Sequence, residues 1–206
     1  TLQAALQTAC EIAANAGADP DHLPHQTINT DQAEIRVPAG TLSLSQSVDY
    51  ISQHISDLFC FGRIAALHAL SDIFVAGHQP LSALATVILQ RDHKDLQAND
   101  LAQMLAGSLI ELSRHQTRLV GGHTSIADHS GLGFAITGMA VKPEAQNGSD
   151  TTSGTEFDLL LTKPLGTGVI LAAEMRQLCP SDSYESAVRV MLHSNFHASQ
   201  IISEYP

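Results

Sequence analysis

The chain of 206 residues has few aromatic residues, few basic residues and no long apolar run. It contains no tryptophan, and aromatic residues make up 4% of it. Ten Lys and Arg stand against 21 Asp and Glu, which gives a formal net charge of -11. Nucleic-acid-binding surfaces normally carry clustered basic residues, so this balance argues against a nucleic-acid partner. No apolar run approaches the roughly 20 residues of a membrane-spanning helix, so we expect no membrane partner.

Cysteine is also scarce. Cys10, Cys60 and Cys179 are odd in number and far apart, which fits neither a disulfide framework nor the ligand spacing of a zinc site. The eleven histidines are scattered and form no HExxH motif, so they do not predict a histidine metal site. A reducing, cytoplasmic location is therefore expected.

Hydrophobic periodicity predicts alternating helices and strands in the first two thirds of the chain. A helix is expected from residue 2 to about residue 17. Pro38, Ala39 and Gly40 then favour a hairpin turn between two alternating strands. The predicted elements are strands at 33–37 and 42–51, a helix at 58–76, a strand at 80–90, a helix at 95–115, and strands at 118–120 and 132–141.

A stretch with linker composition divides the chain. Pro, Gly, Ser and Asn are frequent between residues 143 and 155, and the stretch has no apolar period. We therefore predict a first domain at 1–142, a linker at 143–155 and a second domain at 156–206. The second domain is expected to have a strand at 157–162, a helix at 166–178 and one or two helices at 183–205. With only about 50 residues, it is expected to be partial or completed by another chain.

The first candidate for chemistry is the tetrapeptide Gly121-Gly122-His123-Thr124, which follows the strand predicted at 118–120. Adjacent glycines let the backbone approach an anion closely, and successive amides with a Thr hydroxyl can bind phosphate. A tight turn with a capping Thr explains the same residues. The tetrapeptide alone does not decide between these interpretations.

The second candidate is a set of carboxylates in unusual places. Asp72 lies inside an apolar helix, with His68 four residues earlier on the same face. Asp49 lies near the end of a strand on its small polar face, and Asp31 precedes the strand before it. Hard oxygen ligands from separate segments suit Mg²⁺, which usually takes one or two carboxylates with phosphate oxygens and water. Each Asp also has an ordinary structural explanation as a helix cap, a turn residue or an ion-pair partner.

Four stretches resemble one known family in order and spacing. They lie at residues 47–50 (SVDY), 61–77 (FGRIAALHALSDIFVAG), 119–124 (LVGGHT) and 161–168 (LTKPLGTG). Together they resemble selenophosphate synthetase (selenide, water dikinase) of the PurM-like superfamily. The sequence around Asp72 is most similar to that of the family members fused to an NADH-dehydrogenase-like flavoprotein.

The resemblance implies an α+β, PurM-like fold, with a mixed sheet that has helices on one face. Two such sheets would close into a barrel in a homodimer, with ATP near the interface. The implied reaction converts ATP, selenide and water into selenophosphate, AMP and phosphate, with Mg²⁺ as cofactor. The residues that match the family by position are Asp31, Asp49 and Asp72 near the metal, and Gly121, Gly122, His123, Thr124 and Asp49 at the nucleotide.

The chain also departs from the family pattern. The family's Asp-Asp-Ala-Ala motif appears as Asp31-Gln32-Ala33-Glu34, so a neutral amide replaces the second acid. The glycine-rich segment with the family's reactive Cys and Lys has no counterpart before Thr1, and no catalytic residue is assigned. We therefore expect a fragment that binds Mg-ATP without turnover. The alternatives are an inactive PurM-like dimerisation or regulatory module and another PurM-like ATP-dependent synthetase.

Overall fold

The computed structural model describes residues 2–20, 23, 43–140 and 160–204. The strand predicted at 33–37, Asp31, Gln32 and the whole predicted linker at 143–155 lie outside these ranges. The helices and strands, in chain order, are α1 Leu2–Asn15, β1 Ser43–Ser52, α2 Leu58–Val75, β2 Gln79–Gln90, α3 Lys94–Arg114, β3 Arg118–Ala127, β4 Gly131–Ala140, α4 Thr167–Glu174, α5 Ser181–Met191 and α6 Phe196–Glu204.

The four strands form one mixed sheet in the order β1-β4-β2-β3. β4 is antiparallel to both of its neighbours, whereas β2 and β3 are parallel and joined through α3. α2 and α3 pack on one face of the sheet, and α1 packs on α3. The predicted α+β class, with helices on one face of a mixed sheet, is confirmed.

Helix α2 is the centre of the core, and its ends follow local sequence rules. Asp57 caps its start, because the Asp57 carboxylate accepts a 2.9 Å hydrogen bond from the Cys60 amide. Gly77 adopts a φ of 69° just after its end, where the amides of Gly77 and His78 bond back to Phe74 and Ile73. By length and composition α2 could cross a membrane, but Phe61, Leu70 and eight other residues of it are buried in this core.

Helices α2 and α3 cross at two glycines. A Cβ atom on Gly62 would lie 2.0 Å from the Met104 carbonyl oxygen, and one on Gly107 would lie 2.0 Å from that of Phe59. Only glycine permits so close an approach of two helix backbones. A buried carboxylate reinforces the crossing, because Glu111 Oε1 accepts hydrogen bonds from Arg63 (2.6 Å) and Arg114 (2.9 Å).

The side of β1 that faces the helices is the polar one. The predicted alternation is present, but Ser45, Ser47 and Asp49 are half-buried on the helix side. Leu44, Val48 and Tyr50 face away from the helices and are exposed, Val48 by 75%. The open face of the sheet therefore presents apolar side chains at its β1 edge.

Two sequence-based boundaries are wrong. The strand predicted to end at Val120 continues to Ala127, because β3 pairs along its length with β2. Residues 160–162, the described part of the strand predicted at 157–162, lie outside any strand. Leu160 and Leu161 are exposed there, and among the described residues no strand pairs with them. The helices predicted at 166–178 and 183–205 are present as α4, α5 and α6.

Candidate metal and nucleotide site

A row of paired polar side chains runs between β1 and α2. Alternate residues of a strand are about 6.6 Å apart, close to the 5.4 Å pitch of a helix, so two strand residues on one face meet successive turns of α2, and a third meets the segment that follows its end. We call this row the β1–α2 seam. Its pairs are Ser45 with His78 (Oγ to Nδ1, 2.8 Å), Ser47 with Asp72 (Oγ to Oδ2, 2.8 Å) and Asp49 with His68 (Oδ1 to Nε2, 3.8 Å).

The seam brings together two of the three acids predicted to bind a metal. Asp49 lies close enough to Asp72 for the two carboxylates to influence each other, and about a quarter of its side chain is exposed. Burial raises the pKa of Asp49, and the neighbouring charge of Asp72 raises it further, while His68 acts in the opposite direction. Two carboxylates held this close favour a cation between them. The Ser47 hydroxyl donates to Asp72 and so fixes the orientation of that carboxylate.

The donor set fits Mg²⁺ bound together with phosphate oxygens. Carboxylate oxygens are the ligands that Mg²⁺ prefers, and this ion usually keeps water and substrate oxygens in its other positions. Within the described ranges, no group of three His, Cys, Asp or Glu side chains is arranged to hold a metal ion. Asp31, the third predicted metal ligand, lies outside the described residues, so its role stays a prediction.

The glycine-rich segment is not a loop and does not lie beside the two acids. Gly121, Gly122, His123 and Thr124 are part of β3, at the opposite edge of the sheet from β1. Three strand spacings, roughly 14 Å, separate the two edges. Within one copy of the chain, the two predicted nucleotide-binding positions, residues 121–124 and Asp49, therefore lie at opposite edges of the sheet.

Packing accounts for one of the paired glycines. The register of β2 and β3 shifts between Ala83 and Leu84, which leaves Val120 as an extra residue in β3. Two residues later, a Cβ atom on Gly122 would lie 2.1 Å from the Ala85 carbonyl oxygen. Gly122 is thus required by the close approach of β3 to β2 after this bulge. Its predicted contact with a nucleotide stays a prediction.

The β3 segment lines a small pocket. The pocket has a volume of about 40 Å³, and its other walls include Leu6, Val87 and Leu105 of α1, β2 and α3. By this measure one water molecule needs about 10–15 Å³, so the pocket has space for only a few water molecules. In one copy of the chain, residues 121–124 therefore border a narrow apolar recess.

One part of the seam was not predicted from the sequence. The sequence pattern indicated Asp49, Asp72 and the position of His68, but it gave no role to the part-buried pair of Ser45 and His78. The available signal was the run of small polar residues at alternate positions 45, 47 and 49 of one strand. Such a row on a covered face indicates polar partners on the element that packs there.

Sequence comparisons agree with this fold. The profile of "AIR synthase related protein, N-terminal domain" matches residues 29–141, more than half of the chain. The "Selenide, water dikinase" of Caldanaerobacter subterraneus subsp. tengcongensis is 35% identical over 176 residues, which are 85% of this chain and 49% of that protein. The chain spans about half the length of the curated relatives it matches.

Solved structures share the fold at low sequence identity. E. coli HypE, a hydrogenase maturation protein, is 20% identical with a TM-score of 0.59 over 97% of this chain and 61% of that one. AaThiL complexed with AMPPCP and TMP is 14% identical with a TM-score of 0.58 over 87% of this chain and 59% of that one. With a profile match over more than half of its length and the same fold in these structures, the chain belongs to the AIR synthase related family and carries its N-terminal domain.

Proposed function

We propose that this chain is the nucleotide-binding part of a selenide, water dikinase. The proposed reaction transfers phosphoryl groups from ATP and converts ATP, selenide and water into selenophosphate, AMP and phosphate. The similarity to curated selenide, water dikinases over most of this chain supports this choice. The observation that carries the nucleotide site is the meeting of Asp49 and Asp72 in the β1–α2 seam.

The seam suits phosphoryl transfer because that chemistry depends on positioning and charge compensation. Bound Mg²⁺ would neutralise negative charge on the phosphate oxygens. Asp49 and Asp72 would hold the ion, with Asp31 as a further ligand. Ser47 keeps Asp72 in one orientation, since its hydroxyl donates to Oδ2 at 2.8 Å. No side chain is assigned as nucleophile or proton carrier.

AaThiL, which has the same fold, was solved with AMPPCP, and this supports a nucleotide in this fold. ATP and Mg²⁺ are accordingly the proposed ligands of the seam, and selenide is the proposed acceptor. The three cysteines are free, which is compatible with the reducing cytoplasm we propose as its location.

The open face of the sheet supports a homodimer. Its β1 edge exposes Leu44, Val48 and Tyr50, and apolar side chains of this kind are favourable to cover. Two four-stranded sheets that meet edge to edge can close into a barrel. If the two-fold axis of such a dimer runs along the barrel, β3 of one copy lies beside β1 of the other, which would place residues 121–124 of a second copy close to the seam.

The dimer has a direct test in Val48→Lys. A charged ammonium group on the covered face is costly to desolvate, so we expect the dimer to dissociate at least about tenfold more readily. Sedimentation at several protein concentrations measures this. Val75→Lys is the matched control, because Val75 is 83% exposed at the end of α2 and away from that face. A dimer unaffected by Val48→Lys contradicts the barrel arrangement.

Calorimetric titration with ATP tests the nucleotide site. We expect saturable heat and a rise in Tm in the presence of Mg²⁺, and the loss of both when EDTA removes the metal. A titration without heat and without thermal shift at millimolar nucleotide would refute the nucleotide site. That outcome would favour an inactive dimerisation module, the alternative suggested by Gln32 in place of the family's second acid.

A further inference from the structure

The C-terminal helices are attached to the first domain by a compact cluster of side chains. We call this cluster the clasp. Its members lie at the joint between α5 and α6, on α2 and at the end of α3, and they are Ser194, Asn195, Phe196, Ser71, Phe74 and His115. The rings of Phe74, His115 and Phe196 contact one another pairwise, with centroid distances of 4.9, 5.3 and 5.3 Å.

Two hydrogen bonds accompany the ring contacts. Asn195 Nδ2 donates to Ser71 Oγ at 3.1 Å, and the Ser71 hydroxyl in turn donates to the Leu67 carbonyl at 2.7 Å. His115 Nε2 lies 3.0 Å from Ser194 Oγ, which also accepts a hydrogen bond from the Phe196 amide. One buried side-chain atom of the clasp has no hydrogen-bond partner.

That atom is His115 Nδ1. Among the described residues, it is the buried side-chain nitrogen or oxygen that has no hydrogen-bond partner. A neutral imidazole tolerates this position, because one ring nitrogen then carries only a lone pair. A protonated imidazole would place a charged N–H there, facing apolar rings and no acceptor. The closed clasp therefore favours the neutral form of His115.

The charged groups around His115 do not offset this preference. Glu111 on α3 favours the protonated ring, but its carboxylate already accepts hydrogen bonds from Arg63 and Arg114. Arg114 and His197 of α6 oppose protonation, and α2 packs the uncharged ring of Phe74 against His115. Burial is the largest influence, and it lowers the pKa of His115 below its ordinary value of 6.5.

The backbone at the end of α3 does not supply an acceptor either. The last carbonyls of the helix are taken by the amides of His115, Gln116 and Thr117, which bond back to Glu111, Leu112 and Ser113. Their partial negative charge is thus already compensated.

We propose that protonation of His115 opens the clasp and releases α6 from α2 and α3, so that the attachment of the C-terminal helices is sensitive to pH. Ser71 and Phe74 lie on either side of Asp72 on α2. The clasp therefore contacts the helical turn that carries the candidate metal ligand. The proposal does not depend on the identity of the substrate.

Hydrogen exchange of the α6 amides tests this proposal. After correction for intrinsic exchange rates, we expect protection in α6 to fall by up to about tenfold between about pH 7.5 and pH 5.5, since one proton linkage changes the equilibrium by up to tenfold per pH unit below the ordinary pKa of His115. In His115→Phe, which keeps a ring against Phe74 and Phe196, protection should not depend on pH. His129→Gln, at an exposed histidine of the β3–β4 turn, should behave like the wild type.

Equal loss of α6 protection in the wild type and in His115→Phe would overturn the proposal. So would α6 protection that is constant over this pH range in the wild type. Should His115→Phe not fold, nitrogen NMR of the wild-type ring replaces it. The His115 ring should then titrate in the same interval in which α6 loses protection, and a ring that titrates while protection persists contradicts the clasp as a switch.

Discussion

Gly62→Ala is expected to lower the free energy of unfolding by about 3 kcal/mol or more. Helix propensity alone predicts the opposite sign, since alanine is favoured over glycine by about 1 kcal/mol inside a helix. The new methyl group would lie 2.0 Å from the Met104 carbonyl oxygen, which belongs to a helix backbone and has no rotamer by which to move away. Separating α2 from α3 would disturb the packing of the core, and overpacking of this kind costs more than propensity returns.

Thermal unfolding measures this effect. A loss of about 3 kcal/mol corresponds to a fall in Tm of roughly 6–12 °C for a chain of this size. Gly107→Ala should be as damaging, because its Cβ atom would lie 2.0 Å from the Phe59 carbonyl oxygen. Gly168→Ala in α4 is the control: its Cβ atom meets nothing within 4 Å, so a gain of about 0.5–1 kcal/mol is expected. An unchanged Tm in Gly62→Ala would show that the two helices can separate at little cost.

Asp72→Asn is expected to weaken Mg-ATP binding by at least about tenfold, or about 1.4 kcal/mol. The amide keeps the shape of the side chain and can still accept the Ser47 hydrogen bond, but it removes one of the two negative charges that the metal needs. Calorimetry with Mg-ATP measures the change. Asp95→Asn, at an exposed acid in the first turn of α3, should leave the affinity unaltered. Equal affinities in wild type and Asp72→Asn would refute the metal role of Asp72.

The same substitution should have the opposite effect on the stability of the ligand-free chain. Burial and the charge of Asp72 raise the pKa of Asp49. At a pH between the ordinary and the raised pKa, the folded state therefore holds a proton that the unfolded state has lost. The resulting stability is present below the ordinary carboxyl pKa and is lost as pH rises through the raised pKa of Asp49. Asp72→Asn removes part of this loss, so its Tm at neutral pH should equal or exceed that of the wild type.

The local elements could be predicted from the sequence because their signals are local. An apolar period, Asp57 before the helix and Gly77 after it predict α2. The structure places its ends within one residue of the prediction. β2 and α3 follow equally well. Asp72 could be singled out for the same reason, since a carboxylate in an apolar helix must be exposed, paired or coordinated; the structure shows it exposed and bonded to Ser47.

Boundaries that depend on pairing could not be predicted in this way. Two glycines after Val120 indicated the end of a strand, yet β3 continues because β2 supplies hydrogen-bond partners as far as Ala127. The leucines at positions 160 and 161 suggested a strand, but among the described residues no strand lies beside them and they form none. For β3 the deciding partner, β2, is distant in sequence.

For the candidate site, the sequence by itself determined the chemistry of the side chains: acids at positions 49 and 72, small polar residues at alternate positions of β1, and paired glycines in β3. Only the tertiary structure decided their grouping. It joined Asp49 to Asp72 across the β1–α2 seam, and it placed the glycines at the far edge of the sheet. The reason is physical: alternation fixes which residues of a strand share a face, but the order of strands and the position of the helices decide which face is covered and which residues meet.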